Sequence, residues 1–416
     1  MAAAVTLAAQ NVKVTVFEAG RLLGGRARRL EHRGIALDNG LHILIGAYRE
    51  SLRLIRLVNS DHASALLRLP LDLNMHGKFR LRAPQLPAPL HLLIGLLCAR
   101  GLSMADRLSA TRFMAALKRR RFTLERDINV DLLLKHYRQS ETLCNMLWRP
   151  LCVAALNTPT SIASSRIFLN VLRDSLNAVR EDSDLLLSRV DLSALFPEPA
   201  AAWVIKNGGR VFAAQRVTAI DQNADQFVVV ADGARHTFTH VICALPPHQV
   251  NAFLIGISAL AEIASVINNL KYQPIHTVWL QYPDSVTLPA PMLGFADGML
   301  QWIFDRGQLC GQRGLVGAVI SARGIHQDLT QEGLGVQAQQ ELQRHFGALP
   351  DPLWTRVIAE KRATFSCMVD VERPLQVTPL TNFYLAGDYT ASEYPATIES
   401  AVRSGITCAK HVLRAK

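Results

Sequence analysis

Residues 382–408 read NFYLAGDYTASEYPATIESAVRSGITC, and the reading of this stretch decides the fold. Phe383, Tyr384, Leu385 and Ala386 form a short apolar run of strand type, and Gly387-Asp388 ends it where a backbone comes close to something bulky. Asp388 then stands at the C-terminal edge of the strand. From Pro395 the pattern turns helical, with Ile398, Val402, Ile406, Ala409 and Val412 recurring at threes and fours as a buried stripe. Pro395 suits a first helical turn, where its missing N–H costs nothing. The amides of Ala396, Thr397 and Ile398 are then expected to point ahead of the helix with the positive end of its dipole behind them, a site for an anionic or electron-rich group. Alone, the pattern equally fits a strand-loop-helix that closes a parallel sheet.

The other end of the chain adds the missing half. Residues 12–17 alternate valines with Lys13 and Thr15 and run into Glu18, as a Rossmann second strand ends in the acid that binds a ribose hydroxyl. Gly24-Gly25-Arg26 follows, two glycines that allow close backbone approach and a guanidinium suited to a diphosphate. Together, residues 18–26 (EAGRLLGGR), Asp38-Asn39-Gly40-Leu41-His42, Ala386-Gly387-Asp388 and residues 394–399 (YPATIE) resemble the FAD-dependent amine oxidase and phytoene desaturase superfamily. Leu156-Asn157-Thr158-Pro159, residues 301–306 (QWIFDR) and residues 361–365 (KRATF) narrow the likeness to the squalene-associated FAD-dependent desaturases, also called hydroxysqualene dehydroxylases. The resemblance implies an α/β fold: a Rossmann-like FAD-binding domain from residues 1–60, 200–270 and 360–416, interleaved with an α+β substrate domain from 61–199 and 271–359 that carries a helical cap. It also implies FAD as cofactor, held by Glu18, Gly24, Gly25, Arg26, Gly40, Val217, Gly387, Asp388, Pro395, Ala396, Thr397 and Ile398, with the Val217 backbone meeting the adenine.

Composition narrows the partners. At 416 residues the chain can bury two substantial domains, and its net charge of +11 suits nucleic acid, an anionic membrane surface or an acidic ligand. No helix-turn-helix, zinc-finger or RNP pattern is present, which argues against nucleic acid. Seven cysteines lie scattered without a C-x-x-C pair, as in a reduced cytoplasmic protein, and no metal site is suggested. No secretory signal opens the chain, and no apolar run reaches the roughly eighteen residues of a membrane span. The expected place is the cytoplasm, in solution or peripheral at the inner face of a membrane.

Along the chain, residues 2–9 read as the back half of a helix, without the strand and G-x-G-x-x-G turn that open a dinucleotide fold. The expectation is a sequence that begins too late, with a genuine short form as the alternative. Residues 48–58 predict an amphipathic helix, 67–82 a hairpin about His76-Gly77, and 130–176 helices broken at Asn157-Thr158-Pro159. Residues 86–99 (LPAPLHLLIGLLCA) are the most apolar stretch, followed by a Ser103/Asp106 capping signature and a helix that runs to Lys118-Arg119-Arg120-Arg121. That combination suits a monotopic membrane contact, and also a buried helix with a solvated charged end. Strands are expected at 211–220, 226–230 and 237–245, and again at 272–282, 300–304 and 315–321, with a helix at 331–346, after which residues 359–365 lead back toward the opening stretch.

The flavin carries the redox step, so the protein's task is to place a substrate carbon and control protons around it. By resemblance the substrate is a long-chain isoprenoid: reductive removal of the allylic hydroxyl of hydroxysqualene comes first, a carotenoid-type desaturation second. An amine oxidase fits less well, because a chain with 6% aromatic residues shows no paired aromatic cage. A non-catalytic membrane-associated scaffold that has lost FAD is the reading from another class. Asp38, His42 and Asp305 are the candidate proton donors, with a loop histidine satisfied by backbone as the competing role for His42 and an Asp305–Arg306 ion pair as that for Asp305. The electron donor is left unassigned.

Overall fold

Phe383–Leu385 is a strand and Ile398–Arg414 a helix in the computed structural model, which describes residues 1–176, 179–223, 226–254, 257–347 and 349–415. The helix begins later than the sequence pattern predicts. Thr397 is extended and its hydroxyl accepts the Ser400 N–H, which makes it the N-cap and leaves Pro395 and Ala396 in the loop ahead. Phe383–Leu385 pairs in parallel with Val241–Cys243, and Thr15–Phe17 with Arg210–Phe212. The helix Ala2–Ala8 and the C-terminal helix pack together through Ala2, Val5, Val402 and Ile406, with Val16 and Val211 of the parallel strands, and Val14 just ahead of the first, against them.

Two expected strands are each divided. Residues 211–220 split into Arg210–Phe212 and Val217–Asn223, because Ala214 and Gln215 turn aside to donate to the carbonyls of Gly20 and Glu18. Residues 237–245 likewise split into Ala234–Phe238 and Val241–Cys243. Val217–Asn223, Gln226–Ala231 and Ala234–Phe238 form an antiparallel meander instead of extending the parallel strands. Asp232 and Gly233, both at positive φ, make the tight turn between its last two strands.

A seven-stranded sheet runs in the order Trp354–Phe365, Tyr272–Gln281, Leu315–Ser321, Trp302–Asp305, Met292–Gly294, Asp72–Met75, Phe79–Arg82. Its far hairpin turns at His76-Gly77, but Leu66–Leu69 belongs to another sheet, with Leu185–Ser188 and Ile43–Ile45. The helix Gln331–Phe346 covers one face of the large sheet through Leu334, Ala338 and Leu342. Against the other lies a largely helical block that includes Leu90–Leu97, Met104–Arg119, Arg149–Leu156 and Ser165–Leu176. Asn157 ends Arg149–Leu156 in the left-handed region, and its side chain is fixed by Thr364 and the Ala322 N–H. Among the described residues, no helix is long and apolar enough to cross a membrane.

Candidate active site

The expected cofactor residues come from both ends of the chain, and the fold brings most of them together. Glu18 follows Thr15–Phe17, and its Oε1 accepts the Gly20 N–H at 2.7 Å. Gly24 has φ +113 at a point where a Cβ would lie 2.4 Å from the Ala27 carbonyl oxygen; Gly25, at φ +60, has open space beside it. Arg26 Nη2 lies 2.6 Å from Asp388 Oδ1, and its Nη1 donates to the Ala363 carbonyl. Gly387 has no room for a side chain, since a Cβ would stand 2.5 Å from the Tyr389 ring. Beyond it, Arg373 donates to the carbonyls of Asp388, Tyr389, Ser392 and Tyr394, and burial pulls its pKa down to about 10. This one guanidinium shapes the loop that joins strand to helix. The amides of Thr397 and Ile398 make no hydrogen bond to described residues, whereas that of Ala396 turns to the Cys367 thiol. Val217 stands apart at the head of the meander, opposite Ala231.

The three candidate proton donors are separated. Asp305 caps the helix Arg306–Cys310: its carboxylate accepts the N–H groups of Gln308 and Leu288 and the Gln308 side-chain amide. The expected Asp305–Arg306 pair does not form. Asp305 turns back onto the helix it caps, and Arg306 points away to Asp38, 3.6 Å from its Oδ2. Asp38 is buried and accepts the Leu192 N–H; burial pushes its pKa up to about 6, against the pull of Arg306 and that N–H. His42 sits with Nδ1 2.9 Å from the Gly40 carbonyl oxygen, and burial holds its pKa below 6.5.

Beside Pro395 and Thr397 lies a cavity of about 140 Å³, walled by Ile43, Ile45, Leu73, Leu151, Met292 and Trp302 among other apolar side chains. Its polar lining is confined to Tyr48, Asp174, Ser175, Ser183, Tyr394 and Thr397. A second, smaller cavity shares Leu71, Leu73, Leu147, Leu151 and Leu176 with it and reaches Leu92 and Leu96. None of Asp38, His42 and Asp305 lines either space, although Ile43 beside His42 lines the larger.

The family model of flavin containing amine oxidoreductases matches residues 1–413. The chain belongs to that family. A hydroxysqualene dehydroxylase of Rhodopseudomonas palustris is 27% identical over 432 residues, covering 100% of this chain and 96% of the relative. One from Zymomonas mobilis is 26% identical over 435 residues, covering 98% and 95%. A 15-cis-phytoene desaturase of Narcissus pseudonarcissus is 43% identical over 60 residues, only 14% of this chain and 10% of the relative. Among solved structures, a putative protoporphyrinogen oxidase from Exiguobacterium sp. 255-15 superposes with a TM-score of 0.70 at 14% identity, covering 100% and 96%.

As a flavin amine oxidoreductase the protein is an FAD-dependent oxidoreductase, and its residues fit that cofactor. Gly24 and Gly387 stand where side chains would collide, two amides are open at a helix N-terminus, and Thr277 Oγ1 is buried beside Gly40 without a partner among the described residues. Tyr48 and Asp174, by contrast, escape the sequence reading. Asp174 lies in a leucine-rich helix where an acid reads as a solvated position; the one signal is its place between the apolar Leu172 and Leu176 of the buried stripe.

Proposed function

We propose that this flavoenzyme removes the allylic hydroxyl of hydroxysqualene reductively to give squalene. The observation that carries the reading is an apolar cavity, polar at one end only, that reaches Pro395 and Thr397 of the expected flavin site. The names of the full-length relatives supply the substrate class. The C–O bond breaks, the oxygen takes up a proton and leaves as water, and a hydride replaces it on carbon. Bound FAD, in its reduced form, supplies that hydride. The apolar wall holds the isoprenoid chain and keeps water from the reacting carbon.

Glu18, Gly24, Gly25, Arg26, Gly40, Gly387, Asp388 and the loop Pro395, Ala396, Thr397 with Ile398 are proposed to hold the cofactor, and Val217 to meet its adenine. The domain division at 60, 200, 270 and 360 belongs to the same proposal. It is supported by two parallel pairs, Thr15–Phe17 with Arg210–Phe212 and Phe383–Leu385 with Val241–Cys243, whose four strands all come from the first set of segments, although Met292–Gly294 and Asp72–Met75 of the second set also pair in parallel and the strand Trp354–Phe365 crosses the last boundary. Of the three proton-donor candidates His42 comes first, because its chain neighbour Ile43 lines the cavity and, among the described residues, only one of its two ring nitrogens is taken up, by the Gly40 carbonyl, whereas the Asp38 and Asp305 carboxylates are held by buried partners. Its depressed pKa means that the protonated ring fills only as pH falls, so kcat is expected to rise toward acid pH. His42→Gln is expected to slow turnover by about 10²- to 10⁴-fold and flatten that profile with FAD retained; an unchanged profile rules the residue out.

Electron flow tests the function itself. Anaerobically reduced enzyme mixed with hydroxysqualene is expected to reoxidise its flavin and form squalene. A desaturase, the second reading on the strength of the 60-residue match, instead bleaches oxidised FAD on meeting a polyene precursor. No reoxidation with hydroxysqualene in fully flavinated protein overturns the dehydroxylase reading. A membrane surface is proposed as the second partner, on the basic and apolar features of Leu90–Leu97 and Met104–Arg119.

A further inference from the structure

The polar end of the cavity has a definite hydrogen-bonding polarity. Tyr394 donates its hydroxyl to Asp174 Oδ2 at 2.8 Å. Ser175 and Ser183 donate theirs to the carbonyls of Val171 and Arg180, at 2.6 and 2.7 Å. Asp174 itself is acceptor-only, with Arg173 Nε on its other oxygen at 2.6 Å. The lining protons of Tyr394, Ser175 and Ser183 are therefore committed to the protein. Thr397 turns its hydroxyl to the Pro395 carbonyl and Tyr48 is hydrogen-bonded to Thr397. What Tyr394, Ser175 and Ser183 can still offer the cavity is oxygen lone pairs. Such a surface accepts from a neutral O–H and repels a carboxylate or a diphosphate. Tyr394 is the best placed of these groups. Its ring is held over the Arg403 guanidinium, with Cζ 4.7 Å from the ring centroid, and its carbonyl is fixed by Arg373. It immediately precedes Pro395, which lines the same space.

We infer that Tyr394, oriented by Asp174, is the residue that recognises the substrate's hydroxyl: its phenolic oxygen accepts the O–H of a neutral long-chain alcohol and fixes which carbon faces the flavin. This rests on the reading of the cavity as an isoprenoid site. Asp174 acts through Tyr394 and is a positioning residue. Because the hydrocarbon product has no O–H, it forfeits this bond, and the site releases product more readily than it releases substrate. Tyr394 keeps its bond to Asp174 with either ligand, so the discrimination is that of one net hydrogen bond, about tenfold.

The test uses oxidised holoenzyme, which cannot carry out the reductive reaction, and follows quenching of tryptophan fluorescence, Trp302 being in the cavity wall. Dissociation constants are measured for hydroxysqualene and for squalene. Wild type is expected to bind the alcohol about tenfold more tightly than the hydrocarbon. Tyr394→Phe is expected to bring the two constants together by weakening the alcohol alone, with flavin content and squalene affinity unchanged. Asp174→Asn, which keeps the shape but alters the orientation of Tyr394, is expected to fall between. A Tyr394→Phe protein that keeps the wild-type ratio overturns the inference, as does equal loss of affinity for both ligands, which marks a purely structural role. If the phenylalanine variant does not fold, an Asp174→Asn ratio equal to wild type is the overturning result. Absence of turnover by reduced wild type sinks the dehydroxylase reading while leaving the alcohol preference readable.

Discussion

Asp38 and Arg306 face each other at 3.6 Å with side chains only 2% and 3% exposed, and the pair carries a measurable cost. Burial dominates, which is why the carboxyl pKa rises from its ordinary 3.8 to about 6 in spite of the guanidinium and the Leu192 N–H. The folded state therefore holds this proton more tightly than the unfolded chain does. Where the folded protein binds more protons, stability falls as pH rises, so the contribution of Asp38 declines between about pH 4 and pH 6 and stays low above that window. The full rise corresponds to at most about 3 kcal/mol, less to the extent that the interior relaxes around the charge. Urea unfolding at pH 4.5 and pH 7 is the measurement. Asp38→Asn, which keeps an oxygen for the Leu192 N–H but cannot titrate, stands in for the protonated carboxyl and is expected to remove this part of the pH dependence without lowering stability at pH 7, Arg306 keeping its bond to Gln312. An identical change between the two pH values in both proteins would falsify the assignment.

Two helix N-termini meet on one buried carboxylate. Glu399, fully buried in the first turn of Ile398–Arg414, accepts the N–H and hydroxyl of Ser51 at 2.9 and 2.7 Å and the Glu50 N–H at 3.2 Å, while Arg403 binds its Oε1 at 2.6 Å. The amides belong to the first turn of Arg49–Val58, which have no partner within their own helix, and the positive ends of both helix dipoles favour the charge. Glu399→Ala leaves those donors unmet in a closed space and is expected to cost about 2–4 kcal/mol in urea unfolding. With Ser51→Ala the loss is expected to be less than additive, because the two side chains share one bond; simple additivity, or a single-mutant loss near zero, breaks the argument. The example also marks what the sequence could disclose. The helix Gln331–Phe346, the helix about Leu52 and Ile55 and the strand Tyr272–Gln281 follow from periodicity, because each depends on neighbours a few residues away. Arg26 with Asp388 and Tyr394 with Asp174 lie 362 and 220 residues apart, and no local pattern encodes such partners. Motif likeness brought Arg26 and Asp388 into one expected site, whereas Asp174, which has no motif, stayed hidden. The division of residues 211–220 into two strands had the same cause: the turn answers to carbonyls of Gly20 and Glu18 in a distant segment.

At the scale of the molecule the apolar surface and the cavities form one system. Leu90 and Ile94 on Leu90–Leu97, and Met104 and Leu108 on Met104–Arg119, are 48%, 37%, 60% and 41% exposed, each pair one helical turn apart. The two helices are stitched together by Arg107, which donates to the carbonyls of Leu97 and Leu102. The same short helix presents Leu92 and Leu96 inward to the smaller cavity, whose leucines continue into the larger one. Lys118, Arg119, Arg120 and Arg121, all exposed, end the second helix. Under the proposed membrane contact, a water-insoluble isoprenoid is expected to pass from a lipid surface across a single helix to the polar end of the cavity, with the basic cluster attracted to anionic headgroups. Holoenzyme is accordingly expected to sediment with anionic liposomes at low salt and to be released as salt rises, since the attraction of exposed charges decays within a Debye length of about 10 Å at 0.1 M. Charge reversal at Lys118 and Arg120 is expected to reduce sedimentation, and Ile94→Glu to abolish what remains at moderate salt, while neither changes flavin content. Each exposed basic residue near the surface is worth about 1 kcal/mol, so removing one charge alone is expected to weaken binding roughly fivefold. Full recovery of the wild-type protein in the supernatant at low salt excludes a lipid surface as the source of the substrate.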